Sequence, residues 1–508
     1  MTAPNLFAQN PAVVKAELVN AFGSLIDPLF ATARCGGMTP ADAERRTWAA
    51  IVQLGAMVLT ALLTELCRRA TERTATGLGL AMTDVKLRLD KDYFATIKST
   101  FGPVHFPWFA FRAADGRTQV PARELFPLHP VMRVTEPLLE WEAALAADHP
   151  FRKAADALLF FTHGAASVED NSLERHAVLA GSAIPPEWQY RRPEVIRDIL
   201  RDRATRDTGS GRPLVYVSTD AHALRRFVDD TWTAAWKMSN GIRVWCIDAK
   251  TGETVHLGGE YTWGDCREVA LRFAALRSSG HLPPGGNFGQ GVLAQIALVT
   301  DGAGWITDHI LPLFPDAVSI LDMFHVLEHV ADAVRKIFPG APAKASALLH
   351  RARRALGMRS PRPRALLRKG PREARPARPP APNNGSAYEA IAVLGPFLKI
   401  GPRSGRDRLW LALEYIADNE DRMNYGELRG RGFRIGSGAM ESLHRIGSQV
   451  RLKRSGCRWT AEVAQALLNL RMLQLCGRWE EFWRQPDLAR RIVTAAADAG
   501  TAAEALAS

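Results

Sequence analysis

The run Gln295-Ile296-Ala297-Leu298-Val299-Thr300-Asp301-Gly302 is the stretch whose reading decides the fold. Six uncharged residues rich in Ile, Leu, Val and Thr, closed by Asp-Gly, predict a short strand buried on both faces. A carboxylate directly after such a strand points into the crevice at the sheet edge, where open α/β sheets bind ligands. A single aspartate there also serves as an N-cap for the next helix, so Asp301 alone does not decide between the two. The pattern recurs upstream, where Leu214-Val215-Tyr216-Val217-Ser218-Thr219 precedes Asp220.

Outward from these two runs, the spacing predicts strands at Leu214–Thr219, Ile242–Asp248, Thr254–Glu260 and Ala317–Leu321, with the turn Ala249-Lys250-Thr251-Gly252 between the second and third. A helix is expected over Asp265–Leu276, followed by a Gly/Pro-rich loop, Gly280–Gly291. Strands in hairpin order and then alternating with helices indicate a mixed α/β sheet. From His325 to Tyr425 the pattern is helical, interrupted by Met358–Ser386. That interruption holds Arg359, Arg362, Arg364, Arg368, Lys369, Arg372, Arg375 and Arg378 among many prolines, with Glu373 the only acid. It reads as a disordered basic linker, suited to lying along phosphates.

Residues 12–73 carry two helical stretches, the second opening with Thr39-Pro40 as N-cap and N1. Its most apolar part, Ala49–Leu63, reads as a core helix. Val85, Leu87 and Leu89 alternate, Phe101-Gly102-Pro103 punctuates, and the aromatic run His105–Phe111 suggests a small β element. Three short helices are expected at Thr135–Ala147, Phe151–Phe161 and about Asn171–Ala180, spaced as in a helix-turn-helix or an ordinary bundle. Arg191–Arg206 follows as a basic connector.

A chain of 508 residues implies two to four domains. Its formal net charge of +12 favours a polyanionic partner. The six cysteines are scattered without a CxxC pair, which predicts a reducing cytoplasm and no cysteine-based zinc site. Neither a targeting signal nor a bilayer-spanning run is expected.

A third acid, Glu441, lies in Gly436-Ser437-Gly438-Ala439-Met440-Glu441-Ser442. Ser437 is placed to cap a helix burying Leu443, Ile446 and Val450, with Glu441, His444, Arg445 and Ser448 on another face. An acid there also compensates the helix dipole. Phosphodiester chemistry gives a reason for three carboxylates together: two Mg²⁺ ions about 3.5 to 4 Å apart activate the nucleophile and stabilise the leaving oxygen, and magnesium prefers carboxylate oxygens.

Several blocks in combination resemble the ISKra-type bacterial insertion-sequence transposases. These are Val299-Thr300-Asp301-Gly302-Ala303-Gly304-Trp305-Ile306, the stretch from Phe314 to His329, the Gly436–Ser442 block followed by Arg451-Leu452-Lys453-Arg454-Ser455-Gly456-Cys457-Arg458-Trp459, and the closing Gly477–Trp483. The resemblance covers about 130–485. It implies a ribonuclease H-like fold with a DDE triad at Asp220, Asp301 and Glu441, and a helical insertion between the second and third acids. Asp322 and His325 resemble an Asp-x-x-His signature of related superfamilies, which suggests a catalytic His325. Arg451, Lys453, Arg454 and Arg458 are expected to contact phosphates. Two departures stand out: Ala221 replaces a glycine often found after the first acid, leaving Asp229, Asp230 and Asp248 as rivals to Asp220, and no cysteine pair occurs near Asp115-Gly116. Asp322 and Glu328 are rivals to Glu441.

The expected organisation is an N-terminal helical region with a small β element (1–130), a helix-turn-helix and connector (131–206), an α/β ribonuclease H-like catalytic domain (207–325 and 433–490) split by a helical insertion (326–432), and a tail (491–508). The expected activity is metal-dependent DNA cleavage and strand transfer with two Mg²⁺ ions, Mn²⁺ substituting. The expected partners are double-stranded transposon-end and target DNA and further copies of the chain in a synaptic complex, in the cytoplasm and without a membrane. A catalytically inactive or domesticated DNA-binding relative is the alternative.

Overall fold

The computed structural model describes residues 10–80, 94–113, 116–125, 133–228, 233–357 and 386–494 apart from 487 and 489. The expectations for Val85, Leu87 and Leu89, for Asp229 and Asp230, for nearly all of the 358–386 linker and for the tail beyond 494 lie outside the described residues. The chain divides into two compact units: Met1–Pro185 with Trp459–Arg471 and Trp479–Ser508, and Pro186–Arg458 with Met472–Arg478. Part of the C-terminal helical region, expected within the catalytic domain, thus groups with the N-terminal unit.

In the first unit, helix α1 (Pro11–Arg34) is followed by α2 (Pro40–Gly77). The α2 start is as expected: Thr39 and Asp42 form a reciprocal capping box and Pro40 occupies the first turn. Strands β1 (Phe94–Ser99) and β2 (Gly102–Pro107) form an antiparallel hairpin, and β3 (Phe111–Arg112) pairs with β4 (Thr118–Gln119). Alternate residues Ala95, Ile97, Val104 and Phe106 pack with Leu63 and Cys67 of α2. The core-helix reading of Ala49–Leu63 needs correction, because Ile51, Val58 and Leu62 are exposed and only Ala50, Thr60 and Leu63 of that stretch are buried. By length and composition alone, α2 is apolar enough to cross a bilayer.

After α3 (Ala122–Leu125), the three expected helices appear as α4 (Glu136–Asp148), α5 (Phe151–Phe161) and α6 (Asp170–Ser182). A buried contact of 2.5 Å between Glu142 and His176 joins α4 to α6. Gly181 allows the C-terminal segment to cross α6 closely: a Cβ there would lie 2.3 Å from the Ala466 carbonyl oxygen.

The second unit opens with α7 (Pro193–Asp202) and builds one five-stranded sheet from β5 (Leu214–Val228), β6 (Thr233–Ile247), β7 (Thr254–Thr262), β8 (Gln295–Thr300) and β9 (Val318–Leu321). The order is β7-β6-β5-β8-β9, with β7, β6 and β5 antiparallel and β5, β8 and β9 parallel, the mixed α/β sheet expected. Strand β8 has the bounds read from the sequence. Strand β5 does not end at Thr219. It continues to Val228 because β6 pairs with it as far as Val228↔Thr233, so Asp220 sits inside a strand.

Side chains alternating along the sheet feed two cores. Val215, Val217 and Leu298 pack with α7, α8 (Cys266–Ser278) and α9 (Gly304–His309), while Leu214, Tyr216, Val299 and Ile320 pack with the helices that follow β9. These are α10 (Met323–Ile337), α11 (Pro342–Ala355), α12 (Ala387–Leu394), α13 (Arg403–Asp418) and α14 (Tyr425–Gly430). The helices expected as an insertion pack directly on the sheet. Val326, Val330, Ala333 and Ile337 of α10 recur at helical spacing and complete one face of the sheet's core. The chain then returns through α15 (Gly438–Leu443), a π-helical turn (His444–Gln449) and α16 (Val450–Leu452).

Candidate active site

Asp220 pairs across the sheet with Gly241, which admits a helix at this point. A Cβ on Gly241 would fall 2.4 Å from Met440 and 3.0 Å from the His444 ring. The returning helix thus rests on the sheet through Met440, Leu443 and His444. Ile446 and Val450, expected to be buried, are 39% and 47% exposed. The π-helical turn explains the difference: its i→i+5 bonding widens the turn, so His444, Gly447 and Ser448 face inward. Ser437 precedes α15 but makes no side-chain cap. Its hydroxyl instead donates to Asp322.

The inward turn surrounds Asp220. His444 Nε2 lies 3.5 Å from Asp220 Oδ2, and the Tyr261 hydroxyl is 3.2 Å from His444 Nδ1. His222 Nε2 is 2.7 Å from Ser448 Oγ, with its ring 4.3 Å from that of His444. Burial raises the Asp220 carboxyl pKa, but His444, the Ala221 N–H and His325 outweigh it, and the net shift is downward. Burial pushes His222 down to about 3.

Asp301 follows β8 and accepts a hydrogen bond from the Ala303 N–H at 3.1 Å. Its loop is clamped from both sides. The Gly302 N–H donates to the Tyr415 hydroxyl at 2.9 Å, and buried Arg422 donates to Thr300 Oγ1 at 2.7 Å and to the Asp301 carbonyl at 3.3 Å. Burial raises the Asp301 carboxyl pKa, and the Asp220 charge raises it further; the Ala303 N–H and His325 act the other way. Asp220, Asp301 and His325 therefore share one electrostatic neighbourhood, built from neighbouring strands β5 and β8 and the first turn of α10. His325 leads through His329, 5.8 Å away between ring centroids, to Tyr415 at 4.6 Å from His329.

Glu441 is exposed and lines an open cleft of about 780 Å³ that its rival Glu328 also lines, together with Asp332, Arg335 and Arg353. Asp322 is buried and committed to structure, accepting from the Phe324 N–H at 2.9 Å as the α10 cap and from Ser437. Asp248 likewise caps the turn after β6, accepting from Lys250 and Thr251 N–H groups and pairing with Arg203 at 2.7 Å. Of the expected phosphate contacts, Lys453, Arg454 and Arg458 are exposed. Arg451, by contrast, is fully buried.

Among the described residues, no three His, Cys, Asp or Glu side chains are grouped to hold a metal ion. The pair Asp220 and Asp301 nonetheless fits a hard cation in donor chemistry. Burial and the nearby Asp220 charge both make the Asp301 carboxylate costlier to ionise, a cost that a bound divalent cation would relieve. The sequence reading missed Tyr261, His222, Tyr415 and Arg422, for which no local signal exists; His444 and Ser448 were visible as an i, i+4 pair beside Glu441.

No protein-family model and no curated protein matches the chain. Among solved structures, a similar chain is that of the Drosophila P element transposase strand transfer complex, at 10% identity and a TM-score of 0.27, covering 70% of this chain and 93% of that one. An overlay this loose defines no shared fold.

Proposed function

We propose that this chain is a DDE transposase of the ISKra kind, with its mixed sheet read as ribonuclease H-like, acting on double-stranded DNA at transposon ends and target as a homo-oligomeric synaptic complex in the cytoplasm. The observation that carries the reading is the placement of Asp220 and Asp301, two partly buried carboxylates carried at the same end of the parallel-paired strands β5 and β8, with the His325 charge acting on both. Exposed Lys453, Arg454 and Arg458 and the net charge of +12 support a polyanionic substrate.

Asp220 and Asp301 would hold Mg²⁺, or Mn²⁺ in its place, with Glu441 as the proposed third acid. The metal supplies Lewis acidity for phosphoryl transfer when bound. The chain's own residues do the positioning. His444 and the Ala221 N–H orient Asp220, while Tyr415 and Arg422 fix the loop that carries Asp301. The chemistry is two in-line displacements. Water oxygen bonds to phosphorus and the 3′-oxygen leaves as a hydroxyl; that 3′-oxygen then bonds to a target phosphorus and displaces the target's own 3′-oxygen. No covalent protein intermediate is needed.

The test is incubation of the full chain with DNA carrying the element's ends, with Mg²⁺, Mn²⁺ or EDTA. Metal-dependent release of 3′-hydroxyl ends is expected. End binding without cleavage in either metal would instead identify an inactive, DNA-binding relative.

A further inference from the structure

Helix α1 is the anomaly of the first unit: it has 24 residues, many of them apolar, and none is buried. Its neighbour α2 buries 28% of its most apolar window. The two helices turn apolar stripes toward a shared groove that they do not close. One open cleft of about 530 Å³ lies between Leu18 and Val58, another of about 520 Å³ between Ile26 and Ile51, and Phe22 lines both. Water in such a groove is unfavourable, and a lone helical pair does not leave so much apolar surface exposed without a partner.

We propose that the α1–α2 hairpin is a self-association surface, and that its occupant is the same hairpin of a second copy, forming a four-helix bundle about a twofold axis. Charge selects this occupant. The chain as a whole carries +12, yet α1 balances Lys15 and Arg34 against Glu17 and Asp27, and α2 sets five arginines against four acids, a net of +1. A surface for nucleic acid or anionic lipid would concentrate the excess cations, whereas a near-neutral stripe meets its own copy without repulsion. Area agrees. The exposed Val19, Phe22, Phe30, Ile51, Val58 and Leu62, with their exposed apolar neighbours, offer on the order of 800 Å² per copy, the standard share of a stable interface. The four-helix arrangement lets each helix's stripe fill the other pair's groove.

The experiment is sedimentation velocity on the nuclease-treated full chain at micromolar concentration, so that its outcome is independent of the DNA reading. Wild type should sediment at twice 55.8 kDa. The double variant Phe22→Asp/Leu62→Asp should sediment as a monomer with an unchanged far-UV spectrum, because both side chains are exposed; Phe30→Asp should weaken the dimer at least 10-fold. A monomeric wild type overturns the proposal, as does a dimer that survives the double variant. Flotation of wild type with neutral phosphatidylcholine vesicles, lost in the same variant, would also overturn it by assigning the face to lipid.

Discussion

His444 and Asp220 meet across the sheet, with Nε2 3.5 Å from Oδ2, although 224 residues separate them in the chain. The contact exists because Gly241 lets the π-helical turn approach the strand and because that turn rolls His444 inward. His444→Phe should therefore raise the Asp220 pKa, since the largest influence opposing its burial is gone. Carbon-13 titration of labelled aspartate reads this directly. An unchanged Asp220 would mean that the contact carries no electrostatic weight.

Asp301→Asn should reduce strand cleavage on the order of 10³-fold while leaving end binding near wild type, because the amide keeps the side-chain shape and loses the charge that holds a hard cation. Tyr415 and Arg422 bind the loop through its backbone and through Thr300, so the fold does not depend on the Asp301 carboxylate charge. Cleavage at the wild-type rate would remove Asp301 from the proposed site.

Glu441 and Glu328 line the same cleft, which makes their comparison a sharp one. Glu441→Gln should eliminate cleavage and Glu328→Gln should leave most of it, because α15 carries Glu441 one turn before His444, the residue beside Asp220. The reverse ranking, measured on the same end DNA, would transfer the third-acid role to Glu328.

Arg431 holds buried Asp207 with contacts of 3.0 and 2.9 Å, and keeps its carboxyl well below the usual range. A depressed carboxyl pKa stabilises the fold above the ordinary value of 3.8 and loses that contribution as pH falls through the folded-state value. Arg431→Met should cost about 2 kcal/mol near pH 7, less than a fully buried pair because the arginine is partly exposed. In urea titrations the gap between wild type and variant should be flat from pH 7 to 5 and shrink below 3.8. A gap independent of pH would show that packing, not charge, is what Arg431 supplies.

Gly181→Ala should lower stability by about 2 to 3 kcal/mol, because its Cβ would meet the Ala466 carbonyl, and backbone cannot move aside as a flexible side chain can. The melting temperature of the full chain reports it. A neutral result would mean that residues around 466 do not cross α6 closely.

Local pattern alone determined β8, α5 and the α2 cap. Each is written in a few adjacent residues: an apolar run closed by Asp301-Gly302, helical spacing over Phe151–Phe161, and Thr39-Pro40 with Asp42. The mixed sheet was likewise legible, as the hairpin order of strands followed by strand–helix alternation. Tertiary structure decided the rest. Strand β5 passes through Asp220 because its outer half pairs with Thr233–Asn240, a segment whose Ala, Lys and Ser residues carry little strand preference of their own. The buried face of the helix after Ser437 shifted because one π turn changes which residues point inward, a change no 3.6-residue repeat encodes. Tyr415 and Arg422 reached Asp301 only through the packing of α13 on α10. Short-range pattern fixes elements, while the neighbours of a carboxylate depend on contacts separated by 100 residues or more, which only the folded chain brings together.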